Sequence, residues 1–385
     1  MEHWRFVTAG ESHGPGLVGI VDGVPAGIPL TREQIDEDLA RRQKGYGRGG
    51  RMAIERDQVA IWGGVRHGQT LGSPVALTVT NRDYENWRES MSPDPGIPDR
   101  VVTRPRPGHA DLVGGIKYGH RDLRNVLERA SARETTMRVA LGAVARAFLR
   151  SLGIEVYGHV ISIGDVHAPN RHWTLDEIRG SEDSPVRVVD ESAAEEMMRA
   201  IDAAKEAGDT LGGTFEVAAF GLPVGLGSYV QWHRRLEARL GAALLSIPAM
   251  KAVEVGTGFA QADQPGSTVH DAIWWEEKQG FSRRSNRAGG LEGGITTGMP
   301  LTVRIGMKPL STLMSPLGSF DIESKEPFLA AVERSDVTAV PPAVVIGEAM
   351  AMHVLADAML EKFGGDSLDE VIRRVRAWHE TVREF

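Results

Sequence analysis

The chain has no cysteine. Disulfides, thiolate nucleophiles and Cys-ligated zinc or iron–sulfur centres are therefore excluded. No run approaches the ~20 apolar residues of a membrane helix, so no membrane association is expected. The opening stretch, MEHWRFVTAGESHG, lacks a basic segment followed by an apolar one, which argues against a signal peptide and for a cytoplasmic location. Several catalytic signatures are also missing. There is no GxGxxG after a strand, no GxxxxGK followed by Ser or Thr, no HExxH and no GxSxG. GLPVGLG at Gly221–Gly227 has the wrong spacing for a dinucleotide fingerprint. An ordinary Rossmann dehydrogenase, a P-loop kinase, a zinc protease and an α/β-hydrolase are disfavoured.

What is present points to an anionic ligand. The 385 residues are 41% hydrophobic and 25% charged, with a net charge of −8, which argues against a non-specific nucleic-acid binder. The positive charge is nonetheless clustered. Arg41 to Arg56 forms one group, and Arg104 to Arg138 sets a lysine and a series of arginines around His109 and His120. Core packing does not require that mixture, whereas a site that holds several negative charges and moves a proton does.

Periodicity gives the elements. Trp4–Thr8, Val18–Val24, Val75–Thr80, Ile154–Ile163, Thr214–Gly221, Lys251–Gly256 and Leu301–Lys308 read as strands. Thr31–Gln43 reads as a helix with a Thr31/Gln34 capping box, and Ser131/Glu134 and Ser192/Glu195 suggest two more boxes. Leu236–Leu245, Val344–Lys362 and Leu368–Arg383 read as helices, and Phe281–Gly294, polar and rich in Gly and Arg, as a mobile loop. Strands and helices alternate irregularly with no linker that looks like a boundary, which predicts one large α+β domain over residues 1–385.

Five segments carry candidate chemistry. Ser12-His13-Gly14 places an acid/base side chain on a loop, or else a hydrogen-bonded turn histidine. RRQKGYGRGGR at Arg41–Arg51 can close guanidiniums on phosphate or carboxylate; the alternatives are a solvated basic loop or a fragment of an RNA-binding RGG tract. Ser131 after Arg129 reads as a helix start able to take an anion, or as plain capping. Lys308-Pro309-Leu310-Ser311-Thr312 offers a cation and two hydroxyls at a strand exit. Arg334-Ser335-Asp336 is an ion pair or a part of a site, depending on its neighbours.

In this order the pieces resemble the chorismate synthase family. The matching blocks are AGESHG at Ala9–Gly14, RRxxGxGR at Arg41–Arg48, RPGHAD at Arg106–Asp111, ERASARET at Glu128–Thr135, SIPAMKAVEVG at Ser246–Gly256, GGLEGGITTG at Gly289–Gly298 and RSD at Arg334–Asp336. The resemblance implies a β-α-β sandwich, a homotetramer, and a 1,4-anti elimination of phosphate from 5-enolpyruvylshikimate 3-phosphate with reduced FMN. It implies catalytic roles for His13, His109 and Asp336, and substrate contacts from Ser12, Arg42, Arg48, Arg106 and Arg133. Arg42 and Arg48 are also associated with NADPH in members that reduce their own flavin. FMN contacts are implied for Arg129, Ala130, Ser131, Pro248, Ala249, Gly293, Lys308 through Thr312, and Arg334. The family has Asn or Gln where Pro248 stands, and proline leaves only a carbonyl or apolar contact there. The competing readings are a stand-alone NAD(P)H:flavin reductase and an RNA-binding protein.

Overall fold

A computed structural model of the chain describes residues 3–48, 56–277, 280–330 and 336–385. Strands β1 (Arg5–Ala9), β2 (Gly16–Asp22), β3 (Val59–Gly63) and β4 (Val75–Thr80) form an antiparallel sheet in the order β1-β2-β4-β3. A second antiparallel sheet contains β5 (Glu155–Ile163), β6 (Val166–His167), β7 (Gly213–Phe220), β8 (Met250–Val255) and β9 (Leu301–Met307), in the order β8-β9-β7-β5-β6. The main helices are α1 (Arg32–Gln43), α2 (Asp111–Tyr118), α3 (Arg124–Ala130), α4 (Thr135–Ser151), α5 (Glu191–Glu206), α6 (Leu236–Leu245), α7 (Val340–Phe363) and α8 (Leu368–Glu384).

Alternation sets the layers. In the first sheet Leu17, Val21, Val75, Leu77 and Val79 point inward, while Val7, Val18, Ile20 and Trp62 are exposed outside. α4 covers the inner face at β2 and β4, α7 lies on β5 and β7 of the second sheet, and α1 leans on both helices. The result is the sheet–helix–sheet sandwich expected for an α+β fold, with one apolar cluster running through all three layers. Gly142 lets α4 and α7 touch, because a Cβ there would lie 2.5 Å from Ala349 Cβ.

α7 corrects the reading of apolar runs. Its 24 residues are long and apolar enough to span a membrane by length and composition, yet the qualifying window is wholly buried inside the fold. A helix packed against the second sheet and against α1, α4, α6 and α8 is apolar on every side. Pro341 and Pro342 sit in its first turn, where the missing N–H groups are no loss.

Polar groups on α7 tie the layers together. Glu348 accepts hydrogen bonds from Arg41 of α1 (2.9 Å), Arg146 of α4 (2.6 Å) and the Gly158 N–H of β5 (2.8 Å). Asp38 bonds the same two arginines at 2.7 and 2.8 Å. Farther along, Asp357 accepts the backbone N–H groups of His3 and Trp4 at 2.8 and 2.9 Å and pairs with Arg239. The Trp4 indole stacks on Phe148 in the core and donates to His353 Nδ1 at 3.0 Å.

Burial pulls His353 down to about 3, so the native state holds it neutral. Its folded value lies below the unfolded ~6.5, so the unfolded chain binds the extra proton. The contribution is complete above ~6.5 and is lost as pH falls toward the folded value. Stability is expected to drop by about 1.4 kcal/mol per pH unit in that window. Urea midpoints measured on either side of it should show the slope, and His353→Gln should flatten it.

Three local expectations differ. Asp190, not Ser192, caps α5, accepting the Ala193 N–H at 2.8 Å; both residue types cap well, and the earlier one takes the extended position. Ser131 caps only the short 3₁₀ turn Ala132–Glu134, while Glu134 turns to Arg138 at 2.7 Å. The expected box is therefore not formed, and the α-helix itself begins only at Thr135, directly after this 3₁₀ turn. Within Phe281–Gly294, Gly280–Arg283 pairs with Ile273–Glu276, and Leu291–Glu292 pairs with Ile295–Thr296. Short strands thus begin and nearly close the expected loop, while residues 284–290 between them remain bends and turns.

Candidate active site

The loop Gly10–Gly14 between β1 and β2 is fixed from below. Ser12 N–H donates to Glu128 O (3.0 Å), and Asn81 donates from its side chain to the carbonyls of Glu11 (3.1 Å) and Gly14 (2.8 Å). His13 is thereby held at the rim, its ring stacked on Trp87 at 4.0 Å between centroids. His13 Nδ1 meets the buried Glu128 carboxylate at 2.9 and 3.0 Å, and His13 N–H donates to the same group at 2.9 Å.

His109 is held similarly. It sits in the turn before α2, with Nδ1 2.5 Å from Asp111 Oδ1. Arg106 donates to Asp111 Oδ2 through its backbone N–H (3.1 Å) and Nε (3.0 Å). Lys308 donates to Gly108 O at 2.5 Å, joining the exit of β9 to this turn.

These groups share one cavity of about 370 Å³, within the range of small-molecule sites. His13, His109 and Asp336 line it together, with Ser12, Arg42, Arg48, Arg106, Ala130, Ser131, Pro248, Ala249 and the whole Lys308–Thr312 segment. Its apolar wall comes from Ile247, Met250, Met307, Leu310, Ala343 and Ile346. The starts of α4 and α7 and the end of α1 open on it, so the central layer presents two positive dipole ends. Ala249 has φ of 70°, a left-handed conformation that strains any residue with a Cβ.

The electrostatics favour an anion. Burial, against the pull of Asp57 and reinforced by Arg48 and Arg133, brings Arg42 down to about 10, so it stays charged at neutral pH. Burial also lowers Arg48, with Asp336 opposing. Arg48 Nε is 3.2 Å from Asp336 Oδ2 yet buried without an aligned acceptor. Guanidiniums desolvated in this way gain most from a polyanion. A wider cleft of about 620 Å³ beside Tyr157 also contains arginines. There Arg41 and Arg146 are engaged by Asp38 and Glu348 and Arg150 by Glu155, which leaves little for a ligand.

Three expected contacts lie elsewhere. Arg133 is buried against Asp57 (2.7 Å) and Asn81 (3.0 Å), so it supports the Asn81 that holds the His13 loop instead of facing the cavity. Arg129 binds the carbonyls of Gly10 (3.1 Å) and Thr8 (2.9 Å). Gly293 lies outside the cavity of its own chain, in the turn of the Leu291–Thr296 hairpin. There it and Gly294 have φ of 59° and 91°, so turn geometry accounts for the two glycines. Arg334 lies outside the described residues, as do residues 49–51 of the basic loop.

The sequence reading missed Glu128, Asp111 and Trp87. Asp111 had a local signal, two residues after His109. Glu128 is 115 positions from His13, and nothing local links them. Among the described residues no group of His, Asp and Glu is placed to hold a metal ion.

A chorismate synthase family model matches residues 4–360. The chain belongs to the chorismate synthase family. It is therefore an enzyme of the lyase class. It is 56% identical to chorismate synthase 1 of Bacillus cereus (strain ZK / E33L) over 99% of this chain and 100% of that one. Identity to the chorismate synthase of Geobacillus thermodenitrificans (strain NG80-2) is also 56%, with the same coverage. A crystal structure of a chorismate synthase superposes with a TM-score of 0.82 at 43% identity, covering both chains fully.

Proposed function

We propose that this chain converts 5-enolpyruvylshikimate 3-phosphate to chorismate by 1,4-anti elimination of phosphate, with reduced FMN as cofactor. The observation that carries the reading is the single cavity that gathers His13, His109 and Asp336 among Arg42, Arg48, Arg106 and Lys308. The substrate has a phosphate and two carboxylates, which accounts for a desolvated guanidinium pair better than packing does.

The same cavity fits a flavin mononucleotide. The apolar wall suits a flat ring system, and Ser131, Lys308, Ser311 and Thr312 suit its polar edge and phosphate. When bound, the reduced flavin would lend electron density to the departing phosphate and recover it, chemistry that no side chain supplies. The protein's own groups do the rest. Arg42 and Arg48 grip the substrate anions. His13 gives a proton to the phosphate oxygen as it leaves. His109 would tune the protonation of the bound flavin ring, and the Asp336 carboxylate would assist loss of the substrate ring proton.

Phosphate release measured without oxygen, with reduced FMN, oxidised FMN or no flavin, tests this. Release only with reduced FMN is expected. NADPH oxidation with no phosphate released would favour a flavin reductase, and NADPH with FMN replacing chemical reduction would show that the chain reduces its own flavin. Arg48→Ala is expected to raise the substrate KM by roughly 10- to 100-fold, the equivalent of one charged hydrogen bond, and to change FMN affinity less. Steady-state kinetics beside flavin titration separate the two. A cytoplasmic homotetramer belongs to the same proposal. The exposed apolar face made by Val7, Val18 and Ile20 supports self-association.

A further inference from the structure

We propose that Glu128 and Asp111 are positioning residues that fix the proton of His13 and His109 on Nδ1 and so present Nε2 of each ring to the reaction cavity. The inference rests on the proposed elimination for its kinetic arm, and on geometry alone for its spectroscopic arm.

Glu128 and Asp111 are 2% and 0% exposed. Each is a carboxylate buried directly behind a histidine whose ring lines the cavity. An ionised carboxylate only accepts hydrogen bonds, so the nitrogen facing it must carry the hydrogen. Both are ionised at neutral pH. Burial pushes Glu128 upward, but hydrogen bonds from His13 and Arg124 outweigh it and hold the group below its usual range. Burial acts likewise on Asp111, and His109 and Arg106 bring it well below. With the Nδ1 proton fixed, Nε2 is the only ring atom left to exchange a proton with a ligand.

The two supports are built differently. Glu128 is on α3, one turn after Arg124, which donates to it at 3.0 Å, and it also takes the backbone N–H of His13. It therefore sets both the ring and the loop that carries it. Asp111 is the first residue of α2, where the helix dipole favours a carboxylate. Arg106 grips it through three donors and sits 3.2 Å from His109 Nδ1. The carboxylate–histidine pairing is thus repeated at one cavity by unrelated segments. Structure alone does not demand that, and two rings needing a fixed tautomer do.

The test uses Glu128→Gln and Asp111→Asn in the full chain. Both keep shape but offer an amide that can donate to Nδ1 and release the tautomer. Imidazole ¹⁵N spectra of histidine-labelled protein, taken under basic conditions and assigned with His13→Gln and His109→Gln, should show Nδ1-protonated rings in the unaltered chain. They should show a shifted or mixed tautomer in the matching variant. Unchanged ring signals would overturn the proposal whether or not the elimination activity is real.

In the kinetic arm, each substitution should lower kcat by about 10²- to 10⁴-fold, the scale of positioned proton transfer, with KM and FMN affinity little changed. In a His13→Ala background, Glu128→Gln should cost less than about twofold more, since groups acting as a unit are not additive. Full additivity, or a loss that tracks a fall in thermal midpoint, would make Glu128 a structural residue only. Absence of phosphate release by the unaltered chain would instead reject the elimination reading and leave the tautomer result to decide this one.

Discussion

His13→Ala is expected to cut turnover by about 10²- to 10⁴-fold without unfolding the protein. The expectation follows from where the ring sits. It is at the cavity rim, stacked on Trp87 and backed by Glu128, and it is not part of the apolar core. Its loop is held by backbone and Asn81 contacts that survive the change, namely Ser12 N–H to Glu128 O and Asn81 to Glu11 and Gly14. Loss of the ring therefore removes the proposed proton donor and little else. Single-turnover phosphate release with reduced FMN reads the chemical step, and flavin titration reads the cavity. A variant that turns over normally would take His13 out of the mechanism. One that no longer binds FMN would show that the ring shapes the pocket instead.

The largest stability effect is expected at Glu348. Glu348→Ala should cost about 3–5 kcal/mol, the usual penalty for leaving a buried charge without its partner. Arg41 and Arg146 both bind this carboxylate, Gly158 N–H donates to it, and the carboxylate itself is 0% exposed. Asp38 and Glu182 remain, but two carboxylates would then face the three guanidiniums of Arg41, Arg146 and Arg187. Chemical denaturation gives the number, and a loss below about 1 kcal/mol would mean that water or Asp38 compensates. Acid should act in the same direction. Asp38 is held below its normal range despite burial because Arg146 and Arg41 face it, and Glu182 is brought to about 2 by Arg41 and Arg187. Carboxylates depressed in the folded state contribute above the unfolded value, and that contribution is lost as pH falls toward about 2.

Much of the frame was legible because alternation and helical period report burial directly. Val75–Thr80 and Leu236–Leu245 have the bounds that periodicity gave them. α7 was cut short at its start because Val340-Pro341-Pro342 reads as a turn until a helix start explains the prolines. The Arg104–Arg138 stretch was recognised by charge, yet its two helices were not, since glycines and arginines mask the period of α2 and α3.

At the site, residue type outran residue direction. Arg41 and Arg42 are neighbours in one basic run, but a helix turns about 100° between them. Arg41 enters the ion network of the core, and Arg42 lines the cavity. Arg133 and Arg129 lie in the same motif as Ser131, yet both are spent on holding the His13 loop or the strand before it. No one-dimensional pattern separates an arginine that meets ligand from one that carries its neighbour.

The anchoring of His3 and Trp4 on Asp357 couples α7 to the strand that leads into the site. A few residues after that anchor, β1 runs straight into the loop that holds His13. Strain placed on that anchor therefore acts on a lever whose far arm is the His13 imidazole.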